Sequence, residues 1–204
     1  MHLIPSQEDV IEALTTTGAL RKGHYEYSNG LHANEYLQPA LALRQYQTAR
    51  MLGVGLSRKL RANPEIRAII PQLSIVAPAT AGLPVAYAIC EALRAHQVYW
   101  AEKNNDSDGL HFRQYVEVKR GEQILMVDDI LRTGRRLTEL KKLIEGQGGQ
   151  VVGIAVMVYQ PNPRIADFSP LPLYYLAELD AMYYKDADSC ELCRKGVPVE
   201  KVEI

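Results

Sequence analysis

The chain has 204 residues, 47% of them hydrophobic and 23% charged, which suits one well-buried core and excludes a disordered or fibrous chain. Its 23 Lys and Arg are balanced by 24 Asp and Glu, for a formal net charge of -1, so no global basic field favours nucleic acid or an anionic membrane, and any phosphate selectivity must be local. Met1 to Pro5 lacks the basic region and apolar core of a signal peptide, and no run approaches the roughly 18 apolar residues of a membrane span, so a cytoplasmic protein is expected.

Ser6 and Asp9 form a capping-box pattern with Asp standing in for Glu, and Val10, Ile11 and Leu14 give one apolar face before Gly18, which predicts a short N-terminal helix. Tyr25 to Tyr27, the Asn29-Gly30 turn signal and Tyr36 to Gln38 predict a strand pair outside the main sheet. A longer helix is expected from Gln45 to Leu60, stopped before Pro64. Within it Gly53-Val54-Gly55 begins like a dinucleotide fingerprint but lacks the third glycine, so it is set aside. Leu73 to Ala77 reads as the first core strand, Leu83 to Ala95 as a helix, Val98 to Ala101 as the second strand and Gln123 to Val127 as the third, with Tyr115 to Lys119 a candidate extra strand between them. Asn104 to Gly109 has no apolar content, a composition that predicts mobility. The helix Thr138 to Glu145 ends at Gly146-Gln147-Gly148-Gly149, and Val151 to Tyr159 makes another long apolar strand. Alternation of this kind predicts a mostly parallel α/β sheet flanked by helices.

Three cysteines do not suggest a secreted disulfide scaffold. Cys90 lies in an apolar helical stretch and reads as a buried small side chain. Cys190-x-x-Cys193 could be half of a zinc site, but no second Cys or His pair of standard spacing follows, so packing or an unpaired thiol turn is the expected reading. His24, His32, His96 and His111 share no metal-ligand spacing, and each is read as an exposed or satisfied polar residue.

The most informative stretch is Ile124-Leu125-Met126-Val127-Asp128-Asp129-Ile130-Leu131-Arg132-Thr133-Gly134-Arg135-Arg136. Four apolar residues in a row suit a strand covered on both faces, and Leu137, Leu140, Leu143 and Ile144 then recur at helical spacing. Ligands in open α/β sheets sit beyond the carboxyl ends of the strands, where a helix N-terminus offers free backbone N–H groups. Two adjacent carboxylates there call for a cation or a pair of hydroxyls, so a sugar phosphate fits better than a bare phosphate. Asp128 and Asp129 would point to opposite sides of a continuing strand, so a turn at the pair is expected. A second strand-to-helix loop, Pro78-Ala79-Thr80-Ala81-Gly82, is small and lets backbone approach a ligand.

The acidic pair with its following Thr-Gly resembles the phosphoribosyl-diphosphate signature of type I phosphoribosyltransferases. Further matches follow in order. Gly18 to Tyr25, Ser28-Asn29-Gly30-Leu31-His32 and Tyr36-Leu37-Gln38 resemble the N-terminal region of orotate phosphoribosyltransferases, Val76 to Gly82 their diphosphate loop and Trp100-Ala101-Glu102-Lys103 the start of their mobile loop. Cys190 to Pro198 resembles the C-terminus of one bacterial branch. The resemblance implies one domain over 1–204, with a core of about 45–160 and a small hood from 1–44 and 161–204. It implies transfer of the phosphoribosyl group from 5-phosphoribosyl 1-diphosphate to a nucleobase nitrogen, orotate first, in pyrimidine nucleotide synthesis, with Mg2+ as cofactor and a homodimer as the assembly, and no nucleic acid or membrane partner. Asp128 and Asp129 would hold the ribose, and the metal through water or ribose. Thr80, Ala81 and Gly82 would contact the diphosphate, Lys103, with Arg113 as the second candidate, would offset its charge, and Thr133, Gly134, Arg135 and Arg136 would hold the 5'-phosphate.

The chain also departs from that pattern. Arg135 and Arg136 follow Thr-Gly where small residues are usual, and would crowd a tight loop. The base-recognition positions hold Arg132 in place of threonine and Gln160 in place of arginine, so a charged pair with the carboxylate of orotate needs Arg132 to act from the other side of the pocket. These changes leave open a different base, or a non-catalytic regulator that binds phosphoribosyl diphosphate.

Overall fold

A computed structural model describes residues 4–103, 109–162 and 165–202. In chain order its elements are α1 (Gln7–Thr16), β1 (Leu20–Tyr27), β2 (His32–Leu37), α2 (Ala40–Leu43), α3 (Tyr46–Ala62), α4 (Pro64–Ile69), β3 (Ser74–Pro78), α5 (Gly82–Leu93), β4 (Gln97–Lys103), β5 (Leu110–Phe112), β6 (Gln123–Leu131), α6 (Arg135–Gly146), β7 (Gln150–Tyr159), β8 (Leu173–Glu178), β9 (Tyr183–Tyr184), α7 (Glu191–Arg194) and β10 (Glu200–Val202). β6 explains the architecture. Its Leu125 and Val127 enter one apolar cluster with Leu52, Leu56 and Leu60 of α3 and Val85 and Ile89 of α5, while Ile124 and Met126 enter another with Leu137, Leu140 and Ile144 of α6. A strand with helices on both faces has no solvent face, which is why its apolar run does not alternate.

Six strands form the larger sheet in the order β5-β4-β3-β6-β7-β8. β4, β3, β6, β7 and β8 are parallel, and β5 runs antiparallel to β4. The expected mostly parallel sheet is present. Its edge strand β8 comes from well beyond residue 160. A second sheet, β10-β1-β2-β9, joins the two ends of the chain, with β10 parallel to β1 and β1 antiparallel to β2.

Local signals account for most boundaries. Ser6 and Asp9 exchange both capping bonds at the start of α1. The side chain of Asn63 accepts from Glu65 and Ile66 N–H, so Pro64 begins a new helix, α4, right after α3 ends. Gly53 lets α3 cross α5 closely, because a Cβ there would lie 2.8 Å from that of Ala88, and Gly55 meets Pro5 in the same way. The glycine pair thus serves packing. Two expectations fail. Tyr115 to Lys119 forms no strand, and the partner of β4 is the shorter run Leu110–Phe112 instead. β6 does not turn at Asp128 but stays paired with β7 as far as Leu131. Asn104 to Asp108, the heart of the expected mobile stretch, lies outside the described residues. Among the described residues no helix is long and apolar enough to cross a membrane.

The strand ends opposite the acidic pair are tied by Glu122. Its carboxylate accepts from Ser74 Oγ at 2.5 Å, Gln97 Nε2 at 3.0 Å, Lys119 N–H at 2.8 Å and Tyr99 O–H. Burial opposes the charge, but these donors hold the carboxyl below its usual range. Replacing Glu122 by Ala should cost roughly 1.5–3 kcal/mol, as for hydrogen bonds to a charged group. That corresponds to a melting temperature lower by about 3–12 °C for a chain of this size. Because the folded-state value is depressed, this contribution is present above the unfolded carboxyl value of about 4.3 and is lost as pH falls through the folded one, so thermal melts of the two proteins should converge in acid.

Candidate active site

The carboxyl end of β6 opens into a cavity of about 330 Å³ lined by Asp128, Asp129, Arg132, Thr133, Gly134, Arg135 and Arg136, with Ala81 on one side and Leu37 to Ala40 above. Asp128 and Asp129 are each 6% exposed. Both line this cavity without the expected turn, although β6 continues through them to Leu131. The Asp128 carboxylate accepts the N–H of Asp129 at 2.9 Å. Burial, and then the neighbouring charge of Asp129, push the Asp128 carboxyl well above the ordinary carboxylate range. Burial raises Asp129 too, opposed first by the positive charge of Arg132. The Asp129 N–H and the charges of Arg132 and Arg136 offset only part of the burial cost, so the pair gains from a cation or from hydroxyl groups.

Gly82 is buried against this pair. A Cβ on it would stand 3.0 Å from Ala77 Cβ and 3.2 Å from Asp128 Oδ1. The loop before it contains a cis peptide between Ala79 and Thr80, and Thr80 is exposed at its tip. Thr80 and Gly82 flank the cavity without lining it. Lys103 is exposed at the carboxyl end of β4, away from the cavity walls. Arg113 is engaged elsewhere, with Nε and a terminal nitrogen on Glu102 at 2.8 and 2.5 Å.

Gly134 caps α6 with φ of 75°, and a Cβ there would lie 2.8 Å from the Phe168 ring, so both conformation and space require glycine. Arg135, Arg136 and Leu137 of the first turn of α6 line the cavity, and the Arg135 N–H donates to Thr133 Oγ1 at 3.3 Å. Arg135 and Arg136 do not crowd this loop. Both side chains are exposed, and Arg135 pairs with Glu139 one turn along α6.

Arg132 and Gln160 do not face each other across a pocket. Arg132 Nε donates to Gln160 Oε1 at 2.9 Å, and its terminal nitrogen donates to the Leu37 carbonyl at 2.6 Å, tying β6 to the end of β2. Gln160 is 1% exposed and also accepts from Tyr183 O–H at 3.0 Å. Sequence reasoning missed the aromatic and acidic groups around this pair. Tyr27 donates to the Glu35 carbonyl at 3.1 Å, and burial, opposed by Arg132, pushes its phenol up to about 12. Tyr183 is raised for the same reasons. Glu35 Oε2 is buried with no hydrogen-bond partner among the described residues. The tyrosine spacing on β1 was the available sign, and the side chains that Arg132 joins come from segments far apart in sequence.

Two further sequence readings change. His24 and His32 are buried together beside Cys190 and Cys193, not separate polar residues beside an isolated thiol turn. His96 is exposed as expected, while His111 is half-buried with Nδ1 lacking a partner among the described residues. Cys90 is half-buried and directs its thiol to the Ala95 carbonyl. A larger groove of about 870 Å³ lies between α1 and α3, but no strand end opens into it and it shares no residue with the acidic pair.

Comparison with known proteins agrees with this geometry. The phosphoribosyl transferase domain model matches residues 55–169. An orotate phosphoribosyltransferase of Carboxydothermus hydrogenoformans is 32% identical over 193 residues, 95% of each chain. One of Thermus thermophilus is 31% identical over 194 residues, 95% of this chain and 100% of the relative. Among solved structures, orotate phosphoribosyltransferase from Aeropyrum pernix shares the fold with a TM-score of 0.67 at 18% identity, over 83% of this chain and 93% of its own. A phosphoribosyltransferase from Corynebacterium diphtheriae does so with a TM-score of 0.60 at 22% identity, over 84% and 95%. With the domain model covering more than half of the chain and relatives above 30% identity along nearly all of it, the protein belongs to the type I phosphoribosyltransferase family.

Proposed function

We propose that this protein transfers the phosphoribosyl group of 5-phosphoribosyl 1-diphosphate to a ring nitrogen of orotate, forming orotidine 5'-phosphate and releasing diphosphate. The observation that carries this reading is the burial of Asp128 and Asp129 side by side in a cavity whose other wall is the first turn of α6. The near-full-length likeness to orotate phosphoribosyltransferases supports orotate as the base.

Asp128 and Asp129 accept hydrogen bonds from the ribose hydroxyls and hold negative charge beneath the ring as its anomeric carbon becomes cationic. Thr133, Gly134, Arg135 and Arg136 present first-turn amides to the 5'-phosphate. Thr80, Ala81 and Gly82 bring backbone up to the diphosphate, with Lys103 as its counter-charge because Arg113 is already paired with Glu102. The C–O bond to diphosphate breaks with its electron pair, the new C–N bond forms, and the ring nitrogen loses its proton. The donor set fits Mg2+: two adjacent carboxylates whose ionisation is disfavoured by burial, beside a cavity with room for the waters this ion keeps. Asp128 and Asp129 would hold it through water or the ribose hydroxyls. When bound, Mg2+ supplies positive charge that stabilises the leaving diphosphate. Arg132, fixed by Gln160 and Leu37, is the cation available to the carboxylate of orotate. The family likeness also supports a cytoplasmic homodimer in which Lys103 serves the neighbouring subunit.

Diphosphate release measured with Mg2+ across orotate, uracil, adenine, guanine and hypoxanthine should be fastest with orotate. Binding of the activated sugar with no turnover on any base would overturn the assignment in favour of a regulator. Asp128→Asn should lower kcat/KM by about 10²–10³-fold, the scale of losing one preorganised electrostatic group. The same change should raise the melting temperature of the ligand-free protein at neutral pH. The folded-state value of this carboxyl lies above its unfolded one, so at any pH above the unfolded value the buried charge costs stability, and Asn removes that cost. Arg132→Ala should raise KM for orotate by about 10–150-fold, which matches the roughly 1.5–3 kcal/mol of a charged hydrogen bond. Steady-state kinetics showing unchanged orotate KM would remove Arg132 from base recognition.

A further inference from the structure

We propose that His24, His32, Cys190 and Cys193 form a structural zinc site that pins the C-terminal segment to the smaller sheet. His24 Nε2 and His32 Nδ1 are 2.9 Å apart, Cys190 Sγ is 3.5 Å from His24 Nε2, and Cys193 Sγ is 3.6 Å from His24 Nε2 and 3.5 Å from His32 Nδ1. All four atoms lie within 4.8 Å of one another. Tetrahedral zinc, with bonds of about 2.3 Å to sulfur and about 2.0–2.1 Å to nitrogen, separates a bound sulfur from a bound nitrogen by about 3.6 Å and two bound nitrogens by about 3.3 Å. The three sulfur-to-nitrogen distances match the first value, and a small shift of one ring meets the second.

The surrounding structure is built to aim these atoms. Regular alternation would bury only one of two adjacent strand residues, yet His24 and Tyr25 are both buried, and the β1–β2 register shifts between Lys22 and Tyr25. His24 Nδ1 donates to the Val197 carbonyl at 2.8 Å, leaving the Nε2 lone pair free for an ion, the usual outer-shell arrangement of a metal-bound histidine. Cys190 and Cys193 sit one helical turn apart at α7, so both sulfurs face the same side. Gly196 follows with φ of 66°, beyond it the Val197 carbonyl meets His24, and β10 then pairs parallel to β1.

Two thiolates and two neutral imidazoles select zinc over the hard cations. Binding releases the two thiol protons and leaves a neutral complex, which suits burial. Four protein ligands leave no position for water or substrate, so the ion is structural and not catalytic. It joins residues far apart in sequence at the seam where the smaller sheet takes its last strand. This site is independent of the acidic pair.

Protein produced in zinc-supplemented medium and purified reduced, without chelator, should carry one zinc per chain by plasma mass spectrometry. Cys193→Ser and His24→Asn should lose it and melt at lower temperature. Since either variant could fail to fold, the wild type supplies a second measurement: after chelation under reducing conditions, one equivalent of Co2+ should produce the thiolate-to-metal absorption and the visible bands of tetrahedral cobalt, and zinc should bleach them. Zinc-free wild type with no cobalt–thiolate absorption would overturn the proposal and leave a plain His–His hydrogen bond beside two thiols. A folded Cys193→Ser protein that keeps its full zinc would overturn it equally.

Discussion

Two neighbouring carboxylates buried at the end of a central strand impose the constraint that the rest of this structure answers. Moving such charge out of water is costly, and the fold leaves part of that cost unrelieved in the ligand-free protein, where burial pushes both carboxyls upward despite Arg132 and Arg136 nearby. A strand able to hold them has to be rigid, and β6 is: it lies between β3 and β7 and sends alternate side chains into two separate apolar clusters. The glycines on either side follow from the same demand. Gly82 leaves space for the Asp128 carboxylate, and Gly134 turns the chain sharply against Phe168, so that α6 begins at the cavity.

The second sheet governs what closes the cavity from above. Residues Leu37 to Ala40, at the end of β2, line it, and the Leu37 carbonyl holds Arg132. Arg132 therefore couples the acidic strand to the overlying sheet, while Gln160 and Tyr183 fix its orientation. The phenols of Tyr27 and Tyr183, raised by burial, stay neutral through the physiological range and act as hydrogen-bond donors beside that guanidinium. In the tail that supplies β9 and β10 to this sheet, Tyr183 and Val202 pack on its apolar cluster, but α7 between them has no buried residue within its span. A metal held by Cys190 and Cys193 against His24 and His32 compensates for that thin packing, as in other small elements that lack a core.

How legible these features were depended on how far apart in sequence their causes lie. The apolar run of β6, the leucines of α6, the Ser6–Asp9 cap and the Asn29-Gly30 turn are local patterns, and each produced the element it implied. The acidic pair and the Thr-Gly turn likewise marked the cavity. The geometry at the pair was less legible: β6 keeps its ladder to β7 through Asp128 as far as Leu131, and strand pairing overrides a local preference for turning. The two extra arginines after Gly134 looked obstructive in one dimension, yet both are solvent-exposed where they line the cavity, and Arg135 pairs with Glu139.

The amino-acid sequence by itself determined the parallel α/β core, the helix that follows Thr133-Gly134 and the position of the two carboxylates before it, because these rest on periodicity and on residues a few positions apart. Only the tertiary structure decided that Arg132 is bound to Gln160 and Leu37, and that two histidines near one end meet two cysteines near the other. His24 and Cys190 are separated by 166 positions. No local spacing rule spans such a distance, and the contact exists because β10 pairs parallel to β1 to complete a sheet made from both ends of the chain.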